Sequence, residues 1–325
     1  MAILEFVGRR LFWAIFVILG IVILNFILLR LAPGDPAAIM AGQSGATDPE
    51  YIAQLRVQFG LDQPLYMQLL TYIRDVAMLD LGMSGRQQVP VIDLIARRLP
   101  ATLLLTITAY FLSLGLGVLL GVLAARRVGK WQDSVITVLA LLAYATPLFW
   151  IGLMLILLFS VTLGWLPAYG MRTTGAGLTG MAYVLDILHH LILPMVTLGL
   201  FYMAVYARLA RASMLEVADQ DYIKTAVAKG LPDGRVTRAH MLRNAVLPVI
   251  SFAGFQAGHL VGGAVLVETV FAWPGIGRLA FDALLQRDYN VLLGVFLFTA
   301  IMVIIFNIIT DIIYTLVDPR IEVGR

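Results

Sequence analysis

The residue types that carry most enzyme chemistry are sparse in this chain. It has no cysteine and only four histidines, of which His189 and His190 are adjacent. Neighbouring side chains on a helix point in different directions, which suits chelation of one ion poorly. No stretch has the Gly-x4-Gly-Lys-Ser/Thr pattern, and the Gly-x-Gly at Gly115 and Gly117 lies in an apolar run instead of following a strand. We therefore predict no catalytic residue, no metal site and no cofactor bound by this chain.

One serine motif needs its own explanation. Residues 82–85 read Gly-Met-Ser-Gly, a form that intramembrane serine proteases use. Such a serine must lie inside the membrane with a histidine on a facing helix that accepts its proton. Ser84 lies in a polar segment between apolar stretches, which favours a turn over a protease site.

The composition indicates a chain whose surroundings are partly lipid. Of its 325 residues, 60% are apolar and 13% are charged, whereas about 25% are charged in soluble domains. Six apolar stretches are long enough to cross a bilayer as helices, and none shows strand-type alternation. They are Leu11–Leu31, Ala101–Ala125, Val135–Leu163, Leu191–Ala212, Leu247–Phe271 and Val291–Val317. We predict an all-α membrane protein with six transmembrane helices.

The basic residues predict the orientation of these helices. An even number of spans places both termini on one side, and that side carries Arg9, Arg10, Arg126, Arg127 and Lys130 in its short segments. Lys and Arg collect in cytoplasmic loops. We expect a multi-pass protein of the cytoplasmic (inner) membrane with N- and C-termini in the cytoplasm and with the first span retained as an anchor.

Two polar segments are longer than simple connections. The outer segment before residue 100 shows helix-like stretches at Pro49–Phe59, Leu65–Met78 and Val91–Leu99, separated by turn residues. We expect a first region at 1–100 that consists of the anchor helix and a helix-rich periplasmic segment. A transmembrane permease core would follow at 101–317, and a cytoplasmic tail at 318–325.

The second polar segment lies on the predicted cytoplasmic side. Its residue pattern predicts one helix over Ser213–Lys229, a break at Gly230 and Pro232, and a second helix over Arg235–Asn244. Gly230 suits the residue just past a helix end, where glycine adopts a left-handed backbone, and Pro232 prevents the helix from continuing. The mixed charges favour a surface that meets another protein.

The fifth apolar stretch contains residues that suit a passage for solute. Gly254, Gly258 and Gly262 recur every four residues and make a bare helix face, which permits close helix packing or leaves room for solute. His259 lies mid-span, either as a hydrogen-bonding group between helices or as a pore-lining one. Gln256, Gly258, His259 and Gly262 are the candidate translocation residues.

The cytoplasmic segment resembles a known family. Tyr222–Pro248 reads YIKTAVAKGLPDGRVTRAHMLRNAVLP and is similar to the EAA loop of binding-protein-dependent ABC importer permeases, which docks into a groove on the ATPase. Lys224-Thr225-Ala226 stands where that loop has Glu-Ala-Ala, and Gly230 matches its glycine. Leu247-Pro248 closes the loop at a wider spacing than the general pattern, and this spacing and the replacement of Glu-Ala-Ala are both typical of the oligopeptide/dipeptide/nickel branch. The further motifs of that branch are RLAPGDP, GLDQP, DLGMS, RLPAT, TPLFW and ETVFAWPGIGR.

The resemblance covers the whole chain and implies specific roles. It implies the B-type permease subunit, a type I ABC importer with a MetI-like permease core, and a coupling loop at 213–246. The residues implied in coupling to the ATPase are Lys224, Thr225, Ala226, Gly230, Leu231 and Arg235. The residues implied in an outer gate loop are Glu268, Trp273, Pro274, Gly275 and Gly277; physical reasoning alone leaves a plain aromatic-belt turn equally open.

The resemblance also implies the function and the partners. We expect the translocation subunit of an importer for di- or oligopeptides, with nickel or another small solute as the alternative cargo. The expected partners are a second homologous permease, two ABC ATPases that bind ATP-Mg, a periplasmic or lipid-anchored solute-binding protein, and the bilayer. A stand-alone secondary transporter is disfavoured because the central thirds of the spans carry no formal charge. The net charge of +3 gives no reason to expect nucleic acid.

Overall fold

A computed structural model describes residues 2–31, 48–58 and 62–317. Within its helices, the side chains of residues 2–7, 55, 58, 255, 257–263, 311 and 313–317 are not described. The described chain is helical, with a single isolated bridge between Met83 and Pro90. The helices are α1 (Ala2–Leu31), α2 (Pro49–Gln58), α3 (Leu65–Ala77), α4 (Val91–Arg126), α5 (Trp131–Ala145), α6 (Leu148–Leu155), α7 (Gly180–Ala218), α8 (Asp221–Ala228), α9 (Leu242–Gly263), α10 (Val265–Val270), α11 (Ile276–Gln286) and α12 (Tyr289–Val317).

The predicted all-α membrane fold is confirmed. Among the described residues, four helices are long and apolar enough to cross a membrane: α1, α4, α7 and α12. A fifth candidate is the bent pair that α5 forms with residues Leu148–Thr162. The remaining predicted span, Leu247–Phe271, falls on α9 and α10, and part of it lies outside the described side chains.

The third predicted span, Val135–Leu163, is not one continuous helix. Helix α5 ends at Ala145, Thr146 is extended with ψ 134°, and α6 begins after Pro147. The two pieces are bent by 106°. Because proline disfavours helical backbone in the residue before it and lacks an N–H of its own, Thr146-Pro147 breaks the apolar run where hydropathy alone predicts continuity.

Pro100 does not end a helix, contrary to the predicted boundary between Val91–Leu99 and the second span. Helix α4 runs through it from Val91 to Arg126. Ile95 and Leu105, about one turn to either side, are completely buried. A proline in a helix costs one backbone hydrogen bond, and burial on both sides of it offsets that loss.

The chain divides into two compact units, and the first comprises residues 1–100 with Leu279–Ile308. In this unit Val22 of α1, Val76 of α3 and Leu297 of α12 form a buried cluster. Ser84 is buried and its Oγ donates to the Asp288 carboxylate at 2.5 Å. The backbone N–H of Arg86 also donates to Asp288, so the serine motif forms a hydrogen-bonded structural turn.

The second unit comprises residues Ala101–Arg278 with Ile309–Asp318, and within it α7 contacts α5, α6 and α9. Two glycines let α4 cross α7 closely. A Cβ on Gly117 would come 2.5 Å from Tyr206 Cβ, and one on Gly121 would come 2.5 Å from the Ala207 carbonyl oxygen. Larger residues would force the two helices apart. This unit contains the described coupling segment, the outer loop and Gln256.

Candidate coupling surface and outer loop

The coupling segment begins with a break that the sequence did not indicate. Helix α7 continues to Ala218, Gln220 is extended with ψ 144°, and the short helix α8 covers Asp221–Ala228. The predicted single helix over Ser213–Lys229 is therefore wrong. The Gln220 carbonyl accepts the N–H groups of Ile223 and Lys224, so it starts the new helix. The break lets α8 turn its apolar face onto residues that follow it.

A small apolar core holds the coupling segment together. Ile223 and Ala226 of α8 are buried against Val236, and Val217, Leu231 and Met241 pack around them. Two of the predicted coupling residues, Ala226 and Leu231, therefore face this core and not the surface. They help to make the segment a compact body.

The remaining predicted coupling residues lie on its surface. Lys224, Thr225 and Arg235 are exposed. The Lys224 ammonium lies 3.0 Å from Asp221 Oδ1 in a fully solvated pair, which contributes little to stability. Tyr222 and Val227 are also exposed, at 44% and 56%. The surface thus combines both charge signs with apolar side chains, as protein-binding surfaces do.

Gly230 has the backbone that the sequence predicted. Its φ is +74°, and its N–H donates to the Val227 carbonyl at 2.9 Å just past the end of α8. A Cβ at this position would meet nothing within 4 Å. Glycine is therefore favoured here by the left-handed backbone alone, and the surrounding space is open.

The second half of the segment joins the membrane helix directly. After Pro232, a turn at Asp233–Arg235 and a π-helical stretch at Val236–Met241 lead into α9, which passes Pro248 and continues to Gly263. The predicted helix Arg235–Asn244 is thus the start of a longer one. Only a two-residue break separates α8 from α7, so the coupling segment is joined to both α7 and α9 by short connections.

The outer loop after α10 is organised around a buried carboxylate. Glu268 is 0% exposed, and it accepts hydrogen bonds from Thr102 Oγ1 at 2.7 Å and from the Arg278 N–H at 3.0 Å. The Thr102 hydroxyl in turn accepts the N–H of Ile276 at 2.8 Å. A buried carboxylate requires such donors.

Trp273 completes this loop from inside the protein. Its side chain is 0% exposed, and its indole N–H donates to the Ala101 carbonyl at 2.8 Å. A tryptophan of an aromatic belt contacts lipid with its ring, so complete burial argues against the aromatic-belt interpretation. Pro274, which follows, is half-buried.

Steric contacts explain why glycine occupies two positions of this loop. A Cβ on Gly275 would overlap the Glu268 carboxylate, and one on Gly277 would come 2.7 Å from Val265 Cα. The five predicted gate residues, Glu268, Trp273, Pro274, Gly275 and Gly277, therefore share one tightly packed site.

The predicted passage residues are described only in part. Gln256 of α9 is half-buried, and its side chain lies close to the Tyr202 hydroxyl of α7. Gly258, His259 and Gly262 belong to the backbone of α9, but they lie outside the described side chains. Their role in a passage stays a prediction.

Sequence comparison assigns this arrangement to a known group of proteins. The profile of the family "Binding-protein-dependent transport system inner membrane component" matches residues 117–323, and the profile of its N-terminal region matches residues 3–106. The chain belongs to this family. It is an inner membrane component of a binding-protein-dependent ABC transport system, and the resemblance derived from the sequence is confirmed.

Curated relatives align over nearly the full length. The chain is 42% identical over 336 residues to the dipeptide transport system permease protein DppB of Escherichia coli K12, covering 98% of this chain and 99% of that protein. It is 41% identical over 322 residues to the oligopeptide transport system permease protein AppB of Bacillus subtilis 168, covering 98% and 99% respectively. These relatives are transport permeases and not enzymes.

Solved structures support the fold. The MetNI methionine ABC transporter in inward-facing conformations matches with a TM-score of 0.56 at 19% identity, covering 69% of this chain and 96% of that one. An amino acid ABC transporter crystallised with histidines matches with a TM-score of 0.53 at 16% identity. The MetI-like permease fold is thus confirmed.

Sequence reasoning missed the partners that hold these permease elements in place. Thr102 and the Ala101 carbonyl anchor the outer loop, although only the motif RLPAT pointed to them. The Arg211 guanidinium binds the Asp133 carboxylate with two bonds of 2.7 and 2.9 Å, which ties α7 to the start of α5. Pairs this far apart in the chain carry no local sequence signal.

Proposed function

We propose that this permease moves its cargo when a separate ATPase docks on the coupling segment, residues 213–246. Movement of the ATPase then tilts α7 and α9. The observation that carries this proposal is the buried cluster of Ile223, Ala226 and Val236, which makes the segment one body attached to both helices. Because a rigid segment is attached to both helices, a displacement of the segment by the ATPase tilts the two helices. Lys224, Thr225 and Arg235 would meet the ATPase.

The proposed assembly is a heteromer. A second homologous permease completes the passage, two ABC ATPases bind ATP-Mg inside, and a periplasmic or lipid-anchored binding protein delivers cargo outside. Both termini of this chain lie in the cytoplasm in this arrangement, as the basic residues indicate. The outer loop at Glu268–Gly277 borders the mouth of the passage and acts as its gate.

The proposed cargo is a di- or oligopeptide. Supporting this choice, curated relatives that align over nearly the full length include a dipeptide and an oligopeptide permease protein. Nickel or another small solute is the alternative within the same branch of the family.

The proposal is tested with the chain co-purified with its permease, ATPase and binding-protein partners and reconstituted in liposomes. We expect uptake of a labelled dipeptide that requires both ATP and the binding protein. Liposomes that contain this chain alone are the control and should show no uptake. Full-rate uptake by the chain alone without nucleotide would refute the proposal and favour a secondary transporter.

A further inference from the structure

An apolar groove lies inside the bend between α5 and α6. Its volume is about 410 Å³, and residues of α4 and α7 complete its walls. The described residues that line it are apolar or aromatic except for Thr146, whose hydroxyl donates to the Leu142 carbonyl of α5 at 2.7 Å. Sites for peptides and other polar solutes place hydrogen-bonding groups among the apolar ones. This groove therefore suits a purely apolar ligand.

The groove covers the depth of one membrane leaflet. Ile136 and Thr146 both line it and lie ten residues apart, which is about 15 Å at the rise of a helix. Half of the hydrocarbon core of a bilayer is also about 15 Å thick. Beyond Thr146 the groove reaches Trp150, at the middle of the predicted span Val135–Leu163. It thus runs from the middle of the membrane toward the predicted cytoplasmic surface.

The width of the groove excludes a helix of another protein. A helix about 10 Å across occupies about 1,200 Å³ over a length of about 16 Å, roughly three times the volume available. An extended acyl chain is narrow, apolar and as long as one leaflet is deep. The rim of the groove is apolar as well, because Leu139 and Leu142 are 60% and 56% exposed. The dimensions therefore fit one acyl chain.

Basic residues lie at the cytoplasmic end of the groove. Arg127 follows α4 directly, seven residues after the groove residue Leu120, and its N–H donates to the Ala124 carbonyl at 3.1 Å. This spacing places Arg127 on the groove side of α4. Lys130 precedes α5, and both cations are exposed and form no ion pair within the described residues. Cations at a membrane surface attract the headgroups of anionic lipids.

A buried acceptor without a partner lies at the same end. Gln132 comes one turn before Ile136 and therefore lies on the same side of α5. Its side-chain oxygen is buried and accepts no hydrogen bond within the described residues. Asp133 does not compete for the cations, because Arg211 binds its carboxylate with two bonds. A buried acceptor requires a donor, and a hydroxyl of a lipid headgroup would supply one.

We propose that the groove holds one acyl chain of an anionic phospholipid from the cytoplasmic leaflet. Its phosphate lies on Arg127 and Lys130, and a headgroup hydroxyl donates to Gln132. The acyl chain fills the space inside the bend between α5 and α6, so the lipid is a resident ligand of the folded permease. The site is independent of the identity of the cargo.

The test uses the complete transporter in liposomes of phosphatidylcholine and phosphatidylglycerol. The probe is phosphatidylglycerol with a photoactivatable group in its acyl chain, and the cross-linked residues are mapped by mass spectrometry of peptides. We expect cross-links on the groove residues of α5 and α6. Unlabelled phosphatidylglycerol should compete with the probe, whereas phosphatidylcholine and inorganic phosphate should not.

Matched variants test the two parts of the site. Ala143→Phe fills the groove and should abolish cross-linking there, whereas Leu141→Phe enlarges an exposed residue outside the groove and should leave it unchanged. Arg127→Gln should raise the concentration of phosphatidylglycerol needed for competition about fivefold, the usual contribution of one basic residue at a membrane surface. Arg172→Gln removes an exposed arginine far along the chain and is its control. If Ala143→Phe does not assemble, the Arg127→Gln result decides.

Three results would overturn the inference. Equal labelling by phosphatidylglycerol and phosphatidylcholine probes would show lipid contact without recognition of the headgroup. A groove that stays unlabelled in the complete transporter would show that another subunit covers it. Unchanged competition in Arg127→Gln would remove the phosphate from this turn. All three leave the proposed function standing, because cross-linking requires neither ATP nor cargo.

Discussion

At the scale of single residues, the outer loop depends on a carboxylate that no solvent reaches. Glu268 accepts hydrogen bonds from the N–H of Arg278 and the hydroxyl of Thr102, and the Thr102 hydroxyl accepts one from the N–H of Ile276. Each group is needed because an unpaired buried polar group costs free energy. The residues of the motif ETVFAWPGIGR thus fix the loop to the start of the second predicted span by hydrogen bonds.

Glu268→Gln should destabilise the permease. A glutamine side chain has one acceptor oxygen where glutamate has two, so one buried donor loses its partner at a cost of about 1–3 kcal/mol. Thermal unfolding of the detergent-purified complex measures the effect as a lowered Tm. Glu216→Gln changes an exposed glutamate and serves as the matched control. Equal melting of both variants would contradict the assigned role of Glu268.

Gly275→Ala tests the steric requirement of the same loop. The added Cβ would overlap the Glu268 carboxylate, and overpacking of this kind costs about 1–3 kcal/mol. Gly115→Ala adds a methyl group where no atom lies within 4 Å, so it should be neutral or slightly stabilising. The order of the two melting temperatures is the measurement, and a Gly275→Ala protein as stable as wild type would disprove the overlap.

At the scale of elements, the coupling segment is a short helix and a turn fixed to two membrane helices. Its inner face is apolar and buried, and its outer face carries Lys224, Thr225 and Arg235. Because a Cβ at Gly230 would meet no atom within 4 Å, a substitution there strains the left-handed backbone but does not clash with the core.

Gly230→Asp should uncouple ATP hydrolysis from transport while the protein remains in the membrane. Aspartate and asparagine both tolerate a left-handed backbone better than most residues, so Gly230→Asn is the control for backbone strain. Only aspartate adds a charge that docking must desolvate. Binding-protein-stimulated ATPase and peptide uptake are measured together, and normal uptake by Gly230→Asp would argue against docking at this turn.

At the scale of the whole molecule, the bend of 106° between α5 and α6 decides the course of the chain. A broken span would carry the chain to the outer side, whereas a re-entrant loop would return it to the cytoplasm. The distribution of basic residues favours the first alternative, because Arg126, Arg127 and Lys130 precede α5 whereas only Arg172 lies between α6 and α7.

Single cysteines can decide this topology because the chain contains none of its own. Thr174→Cys, at an exposed position after the bend, should react with a membrane-impermeant maleimide added to spheroplasts. Val128→Cys, at an exposed position before α5, should react only after permeabilisation. Labelling of Thr174→Cys only in permeabilised membranes would establish a re-entrant loop.

The sequence by itself determined the membrane class, the family and the left-handed glycine at 230, because hydropathy, motifs and local turn chemistry can be read along the chain. It failed at the break before α8 and at Pro100, where packing of distant residues outweighs local preference. Only the tertiary structure placed Ala226 in a core, Glu268 against Thr102, and Arg208 over Tyr144. Those contacts join residues from separate helices, and their geometry depends on how the helices pack.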